Sequence, residues 1–133
     1  MFDAALYKML VSLHLAGKVH AGKPMLFFNE QTITPETVNY PQRVFRTGER
    51  INYLVLNPKG FKNDYIRVQI VKKEEKTPHW GYTVYWAKDY HIDTSDNYYI
   101  NYIVLNEPGY YFMQVFSFDN FDKPIIRNDF WVK

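Results

Sequence analysis

Cysteine is absent from the 133 residues, which removes disulfides, thiolate nucleophiles and zinc–thiolate sites together. The compartment stays open on this ground, because secreted proteins can lack disulfides. Serine is scarce where a nucleophile would sit. Ser12 falls in a helical stretch, Ser95 in a turn and Ser117 on a strand, and none is framed by a Gly-x-Ser-x-Gly elbow. No glycine loop for phosphate occurs. His14, His20, His79 and His91 lack the i,i+4 or i,i+2 spacing, with a third ligand nearby, that a metal site needs. Asp89, Asp93, Asp96 and Asn97 lack the glycine-centred pattern of a calcium loop and read as a solvated turn. Glu74 and Glu75 sit in a charged turn, which argues for exposure rather than acid–base work. On these absences the chain is expected not to be an enzyme, and no cofactor or metal is expected. No apolar run approaches the roughly 20 residues of a membrane span. An excess of one charge is missing too. Sixteen Lys and Arg face 14 Asp and Glu, a net +2, and the densest run, Lys72 to Lys76, largely cancels itself. A nucleic-acid partner is therefore not expected.

Aromatic residues are what the chain has in quantity. They make up 19% of it, with 12 Tyr and 10 Phe, and both residue types favour strands. The length suits one domain with a real core. Residues 1–23 separate from the rest by pattern and have two readings. As an amphipathic helix, Asp3 caps the start, Gly17 stops it, and Leu6, Met9, Leu10 and Leu13 form one stripe. As a signal-like segment, Lys8 supplies the charge, Met9 to Ala16 the apolar stretch and Val19-His20-Ala21 the small-x-small site. Asp3 and His14 favour the helix.

From residue 24 onward the period becomes two, interrupted by regular turn signals. Strands are predicted over Pro24–Glu30, Ile51–Leu56, Tyr65–Lys73, Trp80–Ala87, Tyr98–Leu105, Tyr111–Phe118 and Ile125–Val132, with Gln31–Tyr40 a loop or edge. Seven or eight strands joined by short connections make an all-β antiparallel sandwich over 24–133 and disfavour βαβ units.

The run Leu105-Asn106-Glu107-Pro108-Gly109-Tyr110-Tyr111 closes one strand, reverses the chain and opens another with a tyrosine. It resembles the tyrosine corner of immunoglobulin-like and fibronectin-III-like domains. Thr47-Gly48-Glu49-Arg50-Ile51 resembles the entry to their strand B, so the likeness covers about 46–133. It implies that Tyr111 is buried with its hydroxyl bonded back to the 106–109 turn. Gly109 is expected at positive φ or at a close backbone approach. Where immunoglobulin domains carry a disulfide cysteine, two residues past the corner, this chain has Met113. The resemblance implies an architecture and no particular activity. Such modules are common on bacterial and cell surfaces, and by that analogy an extracytoplasmic location is slightly favoured.

With Tyr111, Met113 and Val115 inward, Tyr110, Phe112, Gln114, Phe116 and Phe118 face outward. Tyr65, Arg67 and Gln69 join them from the Tyr65–Lys73 strand, and Trp131 from the Ile125–Val132 strand. An outer face this rich in Tyr, Phe, Trp and Arg has the make-up of an interface core. It is expected to be covered by the N-terminal helix, by a second copy or by another protein. The first functional expectation is thus a non-catalytic protein-interaction or structural module. The alternative is a carbohydrate- or small-ligand-binding module in the Tyr- and Trp-rich segment 80–102. There Tyr85, Tyr90, Tyr98, Tyr99 and Tyr102 would form a stacking platform, with Asp89 and Asp96 as acceptors. Trp80, Tyr82, Val84 and Trp86 are read as core.

Overall fold

In the computed structural model the described residues are 22–33, 42–73, 82–94 and 97–133. The N-terminal segment read as a helix or a signal, Trp80 and Asp96 lie outside them. Alternation of apolar and polar side chains resolves into eight strands among the described residues. These are β1 (Met25–Asn29), β2 (Val44–Phe45), β3 (Arg50–Leu56), β4 (Tyr65–Lys73), β5 (Tyr82–His91), β6 (Tyr98–Val104), β7 (Gly109–Ser117) and β8 (Ile126–Val132). They form a three-stranded sheet in the order β1-β3-β6 and a five-stranded sheet in the order β2-β8-β7-β4-β5. Every pairing is antiparallel except the short β2–β8 contact, which is parallel. Among the described residues no helix is long and apolar enough to cross a membrane.

The core lies between the two sheets. Ile51, Tyr53 and Val55 of β3 meet Ile66, Val68 and Ile70 of β4, and Tyr111, Met113 and Val115 of β7. Phe130 is fully buried and ties the layers together, stacking on Tyr111 with ring centres 5.7 Å apart and tilting against Phe28 at 5.0 Å. Loop backbone bonds close the ends. The Gly48 amide donates to the Leu105 carbonyl at 2.9 Å, and the Lys133 amide donates to Phe45 at 2.8 Å.

Strand β5 corrects the expectation for 80–87. It runs to His91, and of the three described residues read as core only Trp86 packs against the core cluster; Tyr82 and Val84 are exposed. The cause is a register shift opposite Ile70 and Val71. Ile70 pairs Trp86 while Val71 pairs Val84, so Tyr85 is an extra residue and the alternation changes face there. β5 is also the end strand of its sheet, which leaves much of it in water. Asp89, read as part of a turn, is inside this strand.

Candidate functional site

Directly opposed residues of antiparallel strands share a face, so the register builds the outward face of the five-stranded sheet row by row. One row is Asp89, Arg67 and Phe116; the next is Ala87, Gln69, Gln114 and Arg127; the third is Val84, Val71, Phe112 and Asp129. Tyr110 opposes Trp131 in the last row, and Tyr82 opposes Lys73. The structure therefore brings Tyr65, Arg67, Tyr110, Phe112, Gln114, Phe116 and Trp131 onto one surface.

That surface has two unlike halves. Toward the 118–122 turn the chain covers itself. Phe116 is only 7% exposed and meets Phe121, which also contacts Phe118 at 5.1 Å between centres. Arg67 lies over the Phe121 ring at 4.5 Å and forks onto Asp89 with bonds of 2.7 and 3.1 Å. Those bonds hold the Asp89 carboxyl below its ordinary range. Tyr65, next to His91 and Phe118, stays exposed at the rim. Gln114 donates to Gln69 at 2.8 Å, marking the middle of the face.

The other half stands open. Tyr110 and Trp131 lie 4.7 Å apart between ring centres, and Trp131 is 50% exposed. Tyr82 meets Phe112 edge-on at 5.4 Å, and the Arg127 guanidinium lies 5.1 Å above the same Phe112 ring. Asp129 holds this half in shape. Its carboxylate accepts from the Tyr110 hydroxyl and pairs with Arg43, whose Nε also donates to the Asp129 carbonyl at 3.2 Å. Tyr82, Tyr110, Phe112, Arg127, Asn128 and Asp129 line a shallow cleft of about 500 Å³. Sequence reasoning missed Arg127 and Asp129, although the parity that turns Trp131 outward also turns them outward. It missed Tyr82 because of the bulge. Arg43 carries no local signal, since it reaches Asp129 across 86 residues.

The alternative platform is divided. Tyr85, Trp86, Lys88 and Tyr90 of β5 line a cleft of about 400 Å³ with Asn101, Tyr102 and Ile103 of β6, between sheet edges that do not bond to each other. Tyr99 instead packs inward, with its ring centre 5.5 Å from Tyr90 and 6.2 Å from Tyr53, and accepts from Asn101 at 2.7 Å. Tyr98 does not line this cleft. Asp89, expected as an acceptor, is taken by Arg67. The Tyr53 hydroxyl behind this wall is buried beside Tyr90, with no partner at ordinary hydrogen-bond distance among the described residues. Burial first, and the neighbouring Tyr99 and Tyr90 next, push its pKa up.

At the corner the Tyr111 hydroxyl donates to the Glu107 carbonyl at 2.6 Å. The expectation of positive φ for Gly109 is corrected. The left-handed glycines among the described residues are Gly22, Gly48 and Gly60, and Gly109 opens β7 in extended backbone. A Cβ there would come within 2.8 Å of Lys72 Cε, the far end of a flexible side chain. Among the described residues no group of three or more His, Asp or Glu side chains could hold a metal ion.

The sequence matches no protein-family model and no curated protein. Several solved structures match it at low identity and TM-score. The superoxide reductase (neelaredoxin) of Ignicoccus hospitalis matches at 8% identity and TM-score 0.43, over 84% of this chain and 80% of that one. The PmoD soluble domain from Methylocystis matches at 11% identity and TM-score 0.47, over 83% and 90%. The β-glucosidase of Kluyveromyces marxianus matches at 15% identity and TM-score 0.43, over 84% of this chain and 14% of the enzyme. The expectation that this chain is not an enzyme is withdrawn. A strand-built chain without a serine elbow or a phosphate loop is not thereby excluded from catalysis. At these identities and TM-scores the likenesses assign this chain neither an activity nor a cofactor. The described residues form an all-β, sandwich-like fold of two sheets packed around one core.

Proposed function

We propose that the chain is an immunoglobulin-like sandwich that works as a protein-interaction module through the open half of its outward sheet face. Strands β1, β3 and β6 correspond to A, B and E of that fold, β4, β7 and β8 to C, F and G, and β5 to C′. The strand orders, and the Tyr111 hydroxyl bonded back to Glu107, support this correspondence.

The observation that carries the functional reading is the cluster of exposed Tyr82 and Trp131 with half-buried Tyr110 and Phe112 around Arg127 and Asp129. Rigid aromatic rings beside a guanidinium are the composition of binding hot spots. Covering the solvent-facing parts of four such rings at about 25 cal/mol per Å² is worth several kcal/mol before ordering costs. The partner is another protein or a second copy of this chain. The test is to pan a random dodecapeptide library on the full chain. Peptides that bind the parent and lose binding with Trp131→Ala and Phe112→Ala, at unchanged melting temperature, support the reading. Binders indifferent to both substitutions contradict it.

A second reading rests on the β5–β6 cleft. Tyr85, Trp86, Tyr90 and Tyr102 offer ring faces on which a sugar could stack, with Asn101 and Lys88 at the rim. A glycan-array signal abolished by Tyr85→Ala supports it, and a signal that survives the substitution rejects it.

A further inference from the structure

Resting on the protein-interaction reading, we propose that Arg127 is the charge anchor of this surface and that the partner segment is acidic. A partner carboxylate caps the guanidinium while flanking apolar side chains lie on Phe112, Tyr82 and Trp131.

The argument is one of charge left over. The two carboxylates in the opposed rows of this face are already taken. Asp89 is forked by Arg67, and Asp129 receives both Arg43 and the Tyr110 hydroxyl. Arg127 forms no ion pair among the described residues and is exposed. Lys73, exposed and opposite Tyr82 in the register, adds a second cation at the same end. Among the described residues the open half is therefore positive after internal pairing, although the whole chain is only +2. Complementary potential selects and steers an acidic partner.

The chemistry of the anchor fits a carboxylate. A guanidinium drawn to a ring face has its motion restricted, and its N–H fork matches the two oxygens of a carboxylate. Holding Arg127 over Phe112 beforehand reduces the rotamer freedom lost on binding. The cleft of about 500 Å³ admits one acidic side chain and its neighbours, and Asn128 and the Arg43-paired Asp129 share its lining with Arg127.

The test takes the dodecapeptides selected on the full chain and measures their affinity by fluorescence polarisation at about 0.05 M and about 0.5 M salt. The selected sequences should carry Asp or Glu beside aromatic or aliphatic residues, and binding should weaken with salt. Arg127→Gln should weaken it about tenfold or more, the scale of one desolvated charge pair. Arg127→Lys should recover part of the loss. Arg127→Glu should prefer peptides in which the acid is replaced by Lys. Unchanged melting temperatures identify these as surface effects. Peptides that depend on Trp131 but carry no acid, or acidic peptides indifferent to Arg127→Gln, overturn this proposal and leave the interaction reading standing. Peptides indifferent to Trp131→Ala and Phe112→Ala overturn both. A sulfated oligosaccharide that binds Arg127 more tightly than any selected peptide also overturns it, since the site then serves a polyanion.

Discussion

The hydroxyl of Tyr111 reaches back four residues to the carbonyl of Glu107, 2.6 Å away, while the carboxylate of Glu107 pairs with the Lys72 ammonium. One residue of the turn is thus held at both ends. β7 leaves that turn with its side-chain parity set, and this parity decides which face of the five-stranded sheet carries Tyr110, Phe112 and Gln114.

Removing the Tyr111 hydroxyl isolates the contribution of the corner. Tyr111→Phe keeps the ring stacked on Phe130 and loses one hydrogen bond, so stability should fall by about 1 kcal/mol. Chemical denaturation of the two proteins measures this. A loss near zero would show that the bond does not contribute.

Tyr53 provides the opposite case. Its hydroxyl is buried beside Tyr90 with no partner at ordinary hydrogen-bond distance among the described residues, so Tyr53→Phe removes a desolvated, poorly satisfied polar group and should leave stability unchanged or raise it by up to about 1 kcal/mol. The pH dependence carries the same signature. The folded-state pKa of Tyr53 is raised, chiefly by burial. Below the ordinary tyrosine value, about pH 10, both states hold the proton. Above it the unfolded chain releases the proton and the folded chain keeps it, so stability falls as pH rises. Denaturation curves between pH 9 and about 11 should be flatter for Tyr53→Phe than for the parent. Tyr90 and Tyr99 are raised in the same direction by burial, so part of the slope should remain.

Two glycines flanking the core should behave differently. Gly48 has φ +78 with only Asn106 Oδ1 near its missing side chain, at 3.7 Å. The cost of Gly48→Ala is therefore conformational, about 1 kcal/mol, and Gly48→Asn should cost less because asparagine tolerates that region. At Gly109 the obstacle is the mobile end of Lys72. Gly109→Ala should cost less than Gly48→Ala in thermal melts of the two variants. The reverse order would mean that Lys72 cannot give way while paired to Glu107.

Much of this arrangement is written in local pattern and some is not. The alternation at Tyr111, Met113 and Val115 carries the inward parity of β7, and the Pro-Gly turn before it marks where that strand begins. The parity of β5 has no such mark. Its bulge forms opposite Ile70 and Val71, and a bulge is a property of two strands, not of either sequence alone. β2 is only Val44–Phe45, too short for any periodicity, and exists because it pairs with Trp131 and Val132. The division of the outward face likewise depends on distant partners. Phe121 folds over Phe116 from a turn, and Arg43 meets Asp129 from the far end of the chain.

The most direct measurement of the central claim is a chemical-shift map of the isotopically labelled full chain, titrated with a peptide selected on it. The account predicts the largest changes at the amides of Tyr110, Phe112, Arg127 and Asp129 and at the Trp131 indole, with little change around Tyr85, Trp86, Tyr90 and Tyr102. Changes concentrated in that second group, with Trp131 unmoved, would contradict it and place binding in the cleft between β5 and β6.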